Sequence, residues 1–291
     1  MPAVTVVTTT LNRIHYLDQA MRSALAQTFT DFELLVCDNG GLEETRLLCA
    51  GFQDKRIRHI VHGYNMGIAM NTYSGIMNAS SDLIAFLNDD DRWANDFLDK
   101  CARPLLDDPH VVVAFSDHWI IDSGGTRLIE DSEMNTRRYR RDSIQAGRIE
   151  NPMKLLTTNS IPVAMASVFR KSAVDWSLYS QNVGASYDVF LGYALLRGNG
   201  TVFYIPERLT EYRVHGTMAT AEFHSGNTSA SAYINRLILG DPKFAPIANE
   251  LRARSIDLER HMLGISLRRL KVFSAMVHFA RLILYHLSAF L

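Results

Sequence analysis

The chain is short of the features that announce several common protein classes. Only three cysteines, Cys37, Cys49 and Cys101, occur in 291 residues. They lack the paired spacing of a zinc site and are odd in number, so they read as reduced thiols rather than a disulfide scaffold. Lys and Arg total 30 against 31 Asp and Glu, a net charge of −1, and no nucleic-acid partner is expected from so even a balance. Met1-Pro2 leads straight into strand-like residues without a basic region or a cleavage site, which predicts a cytoplasmic chain. In that setting the sequon matches at Asn78 and Asn227 carry no meaning. The most apolar stretch, at the C-terminus, is interrupted by His278, Arg281 and His286, a poor fit to a membrane-spanning helix. No G-x-G-x-x-G follows the first strand, and no G-x-x-x-x-G-K-[ST] occurs anywhere. A bound nucleotide would have to be held by other means.

What is present is a strand-helix rhythm. The composition is 47% hydrophobic, enough to fill one large α/β domain. Val4 to Thr10 is almost wholly β-branched and reads as a central strand, followed by a helix from about Tyr16 to Ala26. Phe32 to Cys37 is a second strand ending in Asp38-Asn39-Gly40-Gly41, and a helix from Leu42 to Cys49 follows. Ile57 to Val61 is the third strand, and a helix opens at Asn65-Met66-Gly67. The fourth strand, from Leu83, stops abruptly at Asn88-Asp89-Asp90-Asp91. This alternation predicts a mostly parallel, doubly wound sheet flanked by helices. A helix from Ala94 to Leu106 comes next, then a long strand from Val111 to Ile121 that Ser123-Gly124-Gly125 turns back as a hairpin. Glu130 to Ile149, with its Arg137-Arg138-Tyr139-Arg140-Arg141 run, reads as a solvated loop or, on the sharper view, a lid over a diphosphate. Ile161 to Phe169 is expected to be another strand.

Three adjacent carboxylates at a strand end repel one another, which a divalent cation or a basic ligand would relieve. An exposed acidic turn before a helix is the bland alternative. Asp38 has its own bland alternative, an Asx turn before Gly40-Gly41. Adjacent parallel strand ends lie about 5 Å apart, so Asp38 and Asp90 would frame one crevice.

The strand ending in Asn88-Asp89-Asp90, together with Val6 to Arg13, Val36 to Gly41, Asn65-x-Gly67 with Gly75, and Tyr212-Arg213-Val214-His215, resembles glycosyltransferase family 2. The resemblance extends to about Met218. It implies a GT-A fold and an inverting enzyme that uses a nucleotide-sugar donor with Mn²⁺ or Mg²⁺. Asp90 and His215 are then the metal residues. Thr9, Thr10, Asn12, Arg13, Asp38, Asn65, Gly67, Asn88, Asp89 and Arg213 would surround the donor, with Asp38 accepting from a uracil or thymine imide and Arg213 pairing with the diphosphate. Ala185 to Leu196 resembles the family helix that begins with an acid, which makes Asp188 the general base toward an acceptor hydroxyl. The family's preceding Glu is Tyr187 here. A metal-dependent nucleotidyltransferase and a silent nucleotide- or sugar-binding module remain the alternatives.

These features divide the chain into a catalytic domain over residues 1–220, with a nucleotide-sugar half to about 121 and an acceptor half from 122, and a helical extension over 221–291. The extension carries Arg268, Arg269, Lys271 and Arg281 beside Phe273, Phe279 and Phe290. It reads as a basic amphipathic helix on an anionic membrane, at the inner face of the plasma membrane, or as a hairpin packed on its own domain or on a second copy of the chain. A saccharide or lipid-linked saccharide acceptor would suit the membrane reading.

Overall fold

β1 (Val4–Thr10) is buried along nearly its whole length, and its stiff β-branched side chains fill both faces of a sheet. The structure, a computed structural model, describes residues 1–216, 224–268 and 271–287. In it β1 pairs in parallel with β2 (Phe32–Asp38) on one side and β4 (Leu83–Phe86) on the other, and β2 pairs in parallel with β3 (Ile57–Val61). Three helices make the crossovers: α1 (Ile14–Leu25), α2 (Glu43–Gly51) and α3 (Gly67–Asn78). This quarter of the molecule is the parallel sheet that its rhythm predicts.

Beyond β4 the sheet becomes mixed. The chain passes through β5 (Arg92–Trp93), α4 (Phe97–Asp107), β6 (Val111–Ile121), α5 (Ile129–Arg138), β7 (Gly147–Ile149), α6 (Leu155–Thr158), β8 (Ser167–Arg170), α7 (Tyr187–Arg197) and β9 (Thr201–Arg213). β8 lies antiparallel to both β4 and β6, and β9 runs parallel to β6, with β5 and β7 antiparallel to β9. The spatial order is β3-β2-β1-β4-β8-β6-β9-β5, with β7 also on β9.

Alternation along the strands divides the core between the two sheet faces. Val4, Val6, Leu34 and Val36 pack with Leu17, Met21, Phe97 and Leu98. Val7, Leu35, Ile84, Phe115 and Phe169 pack with Ile76, Phe190 and Leu191.

Three sequence expectations change. The Ile161 to Phe169 strand shortens to β8, because Pro162 starts a turn whose carbonyl accepts from the Met165 and Ala166 N–H groups. The hairpin after Ile121 reduces to a single bridge between Ile121 and Arg127, and the chain then enters α5. The basic segment is not a solvated loop: it forms α5, a 3₁₀ turn and β7, and Arg141 is buried against Asp117 with Nε 2.6 Å from Oδ1.

The extension is helical. α8 (His224–Leu239), α9 (Ala248–Arg268) and α10 (Val272–Leu287) meet at Glu259, which is fully buried. Its carboxylate takes Arg236 at 2.9 Å and His278 at 2.5 Å, with Arg281 at 3.7 Å. The expected boundary at residue 220 lies outside the described residues, as do Arg269 and Phe290.

Candidate active site

β4 delivers its acids into a tight turn in which each carboxylate has a different neighbour. Asp89 accepts from the Thr10 hydroxyl at 2.8 Å and from Arg13 Nη1 at 3.1 Å. The same Nη1 donates to Asp90 Oδ2 at 3.0 Å, and His215 Nε2 lies 3.0 Å from that oxygen. Asp91 turns inward, where the Asn88 amide and the Arg213 backbone N–H donate to it. Burial and the adjacent charge of Asp90 push Asp89 up to about 7, against the pull of Arg13 and Thr10. Asp91, buried more completely, is raised well above the usual carboxylate range. The cluster is therefore short of positive charge, and Arg13 sits between its two outer members.

The turn opens on a cavity of about 480 Å³. Thr9, Thr10, Arg13, Asn65, Gly67, Asn88, Asp89, Asp90 and Asp188 all line it, so the strand ends and the start of α7 converge as the sequence predicts. Asp188 is the second residue of α7. Its carboxyl is raised chiefly by burial, while the backbone N–H groups of Val189 and Asp188 and the charge of Arg254 pull it back. Tyr187, in place of a second acid, sends its hydroxyl to Asn88 Oδ1 at 3.3 Å and so links α7 to the acid turn.

Four predicted residues lie elsewhere. Asp38 is sealed from solvent; one oxygen accepts from the Gly40 and Gly41 N–H groups, as in an Asx turn, and the other, 3.6 Å from His59 Nε2, has no hydrogen-bond partner among the described residues. Its neighbour Asn39 lines the cavity instead. Arg213 is also buried: it donates to the carbonyls of Asp90, Asp122 and Ser123 and to Gln19, with its guanidinium 4.8 Å from the centre of the Tyr16 ring. A side chain so committed is a clamp between β9 and the acid turn, not a diphosphate ligand. Asn12 is exposed in the left-handed region (φ 57°) beside Gly40, outside the cavity wall. His215 is outside the cavity lining; its Nε2 lies 3.0 Å from Asp90 Oδ2 and its ring 5.0 Å from that of Tyr16.

The cavity has an end that sequence reasoning approached only through the basic run holding Tyr139 and Arg141. His118, Asn135, Tyr139, Arg141, Asn159 and Tyr212 bring amides, phenols and an imidazole to it. Burial holds His118 near 3 and therefore neutral. Asp117, on the same strand, is held low by Arg141 and Thr136 and is committed to them. The polar strand Ser116-Asp117-His118 inside an apolar run was the available signal.

Among the described residues no three His, Cys, Asp or Glu side chains converge on one point that would hold a metal. Asp90 and His215 offer two ligands, a carboxylate and an imidazole, around a position toward which Arg13 already projects a cation. That donor set fits Mn²⁺ better than Mg²⁺ if phosphate and water complete the shell.

The family model for glycosyl transferase family 2 matches residues 5–175. An uncharacterized glycosyltransferase of Rickettsia felis is 26% identical over 255 residues, covering 85% of this chain and 39% of the relative. The chain thus spans about two fifths of the length of this relative and of its Rickettsia conorii counterpart. The Escherichia coli UDP-Glc:alpha-D-GlcNAc-diphosphoundecaprenol beta-1,3-glucosyltransferase is 33% identical over 103 residues, 35% of this chain and 41% of that protein. Among solved structures, Staphylococcus aureus TarS 1-349 in complex with UDP-GlcNAc superposes with a TM-score of 0.71 at 15% identity, over 97% of this chain and 81% of TarS. A mannosyltransferase from Pyrobaculum calidifontis in complex with GDP-Man and Mn²⁺ gives 0.65 at 15% identity, over 98% and 84%. At such identities the likeness shows a shared fold.

Proposed function

Since the chain belongs to glycosyltransferase family 2 and is a transferase, we propose that it moves a sugar from a UDP- or dTDP-type donor to an acceptor hydroxyl with inversion. The observation that carries this reading is one cavity lined both by Arg13 with the Asn88-Asp90 turn and by Asp188. A diphosphate beside Asp89 and Asp90 is repelled unless positive charge separates them. Asp90 and His215 would hold a divalent ion there, which would supply charge neutralisation to the departing diphosphate. Arg13, released from the two acids, would donate to phosphate oxygens as it now donates to carboxylates. Thr9, Thr10, Asn65 and Gly67 would bind the nucleoside and Asn39 would face the base, a place that the sealed Asp38 does not take.

Asp188 takes the proton from the acceptor hydroxyl, and attack from the face opposite the leaving group inverts the anomeric centre. The amides and phenols around Asn135, Tyr139, Asn159 and Tyr212 suit a saccharide acceptor. A relative named for a diphosphoundecaprenol-linked acceptor supports a lipid-linked saccharide and a place in cell-surface polysaccharide or glycolipid assembly.

The test is thermal stabilisation across a panel of nucleotide sugars with Mn²⁺ and with chelator, followed by diphosphate release from the best binder. Metal-dependent stabilisation by uridine or thymidine sugars is expected. Equal stabilisation by guanosine sugars, or none by any donor, overturns the donor assignment.

A further inference from the structure

We propose that Arg254, on α9 of the C-terminal extension, is a positioning residue of the active site: it fixes Asn159 on the cavity wall and presents a positive charge to the carboxylate of Asp188. Residue 254 lies well outside the matched residues 5–175, in a part of the chain to which no chemistry is assigned. Its Nη1 donates to Asn159 Oδ1 at 2.9 Å, across 95 residues of sequence. Asn159 is a non-glycine residue in the left-handed region, φ 50°, at the end of α6, and it lines the same cavity as Asp188. Asn takes the left-handed conformation readily at a helix end, and the guanidinium fixes where its side-chain oxygen points.

Asp188 and Tyr139 are the two titratable groups whose charge acts on Arg254, and both line the cavity. From the other side, Arg254 on α9, Tyr187 on its own helix and the N–H groups of the first turn of α7 act on Asp188, and Arg13, Asp89, Asp90, His118, Tyr139 and Arg141 line the same cavity. Arg254 is a cation whose charge acts on Asp188, and it opposes the effect of burial on a carboxylate that must be ionised to accept a proton. The arm is rigidly based. Five residues on from Arg254, Glu259 of α9 accepts from Arg236 of α8, and Ser255 accepts from Asn235 of α8.

The inference rests on Asp188 as the general base, and its test separates the two. Carboxyl ¹³C titration of the full chain, with the Asp188 signal assigned by its loss in Asp188→Asn, is compared among wild type, Arg254→Gln and Arg254→Lys. Arg254→Gln is expected to raise the Asp188 midpoint by about one pH unit and Arg254→Lys to restore most of it. The acidic limb of diphosphate release from the best nucleotide sugar should move with it. Variants are read only if they keep the cooperative thermal transition, and Arg254→Met, of similar length, replaces Gln if Gln does not. An unchanged Asp188 midpoint in a folded, charge-free variant overturns the proposal for Arg254. Full diphosphate release in Asp188→Asn overturns instead the reading of Asp188 as base, whatever the titration shows.

Discussion

Arg213 and Asp188 show how far a side chain's partners decide what it does. Arg213 stands in a string that resembles a donor-binding one, yet its guanidinium serves buried carbonyls and Gln19. Arg213→Ala strands those acceptors and should lower unfolding free energy by about 2–4 kcal/mol in urea. Uridine diphosphate affinity per folded molecule should stay within a few-fold; a large loss of affinity at unchanged stability would return Arg213 to the diphosphate. Asp188 faces the cavity with a carboxyl raised by burial. A base with a raised pKa loses activity as pH falls through that raised value, so the acidic limb should lie above the ordinary carboxylate range. Asp188→Asn should abolish the limb and cut turnover by ~10²-fold or more with donor affinity kept. The stability sign is opposite. A carboxyl whose folded pKa is raised favours the fold at low pH and penalises it as pH rises, so Asp188→Asn should melt no lower than wild type at pH 8, with the gain shrinking toward acid. A variant that melts lower at pH 8 would show that Asp188 is structural. Asp90→Ala, in turn, should remove the Mn²⁺ dependence of uridine diphosphate binding, read by calorimetry with and without chelator. Undiminished metal dependence would move the ligand elsewhere.

Elements whose hydrophobic period is uninterrupted were legible before any coordinates. Val4–Thr10 forms as read, and the strands read as Phe32 to Cys37 and from Leu83 form as Phe32–Asp38 and Leu83–Phe86, each with its acids at or just past the end, because a strand buried on both faces has little room for a charge. The far half was legible only in part. β8 keeps three of its nine expected residues since Pro162 draws the chain before them into a turn, and α5 was hidden because its sequence IEDSEMNTRR is polar almost throughout. At the site, the family resemblance pointed to Asp90, Arg13 and Asp188, which line one cavity, but not to which way Asp38 faces, since an Asx turn and a base contact require the same residue at the same place. One close approach was marked by glycine. A Cβ on Gly75 of α3 would lie 2.4 Å from Val7 Cγ1 and 3.0 Å from Cys37 Sγ. Gly75→Ala should therefore force α3 away from β1 and β2 and destabilise by roughly 1–3 kcal/mol, despite the better helix propensity of Ala. A neutral or stabilised variant would mean that the helix is not seated as described.

Across the whole molecule, α10 is built inside out. Its inward side carries His278 and Arg281 to the Glu259 hub, while Val272, Phe273, Met276, Phe279, Ile283 and Leu284 stand exposed in a stripe, Phe273 at 81%. Spacings of three and four residues put these side chains on one face, and an apolar face this continuous calls for a cover. Lys271 and Arg268 are exposed at the near end of the stripe, a charge pattern that complements an anionic leaflet rather than a second copy of the same basic end. Among the described residues no helix is long and apolar enough to cross a membrane, so the helix would lie in the interface, where a lipid-linked acceptor also resides. We therefore predict sedimentation with vesicles that rises with the fraction of anionic lipid and weakens in high salt, the two basic residues adding roughly 1 kcal/mol each. Phe273→Ser with Phe279→Ser should abolish it while leaving the Glu259 hub and thermal stability in place. If the full chain stays in the supernatant at low salt, and the same double variant instead converts a dimer to a monomer, then a second copy of the chain covers the stripe and the membrane assignment fails.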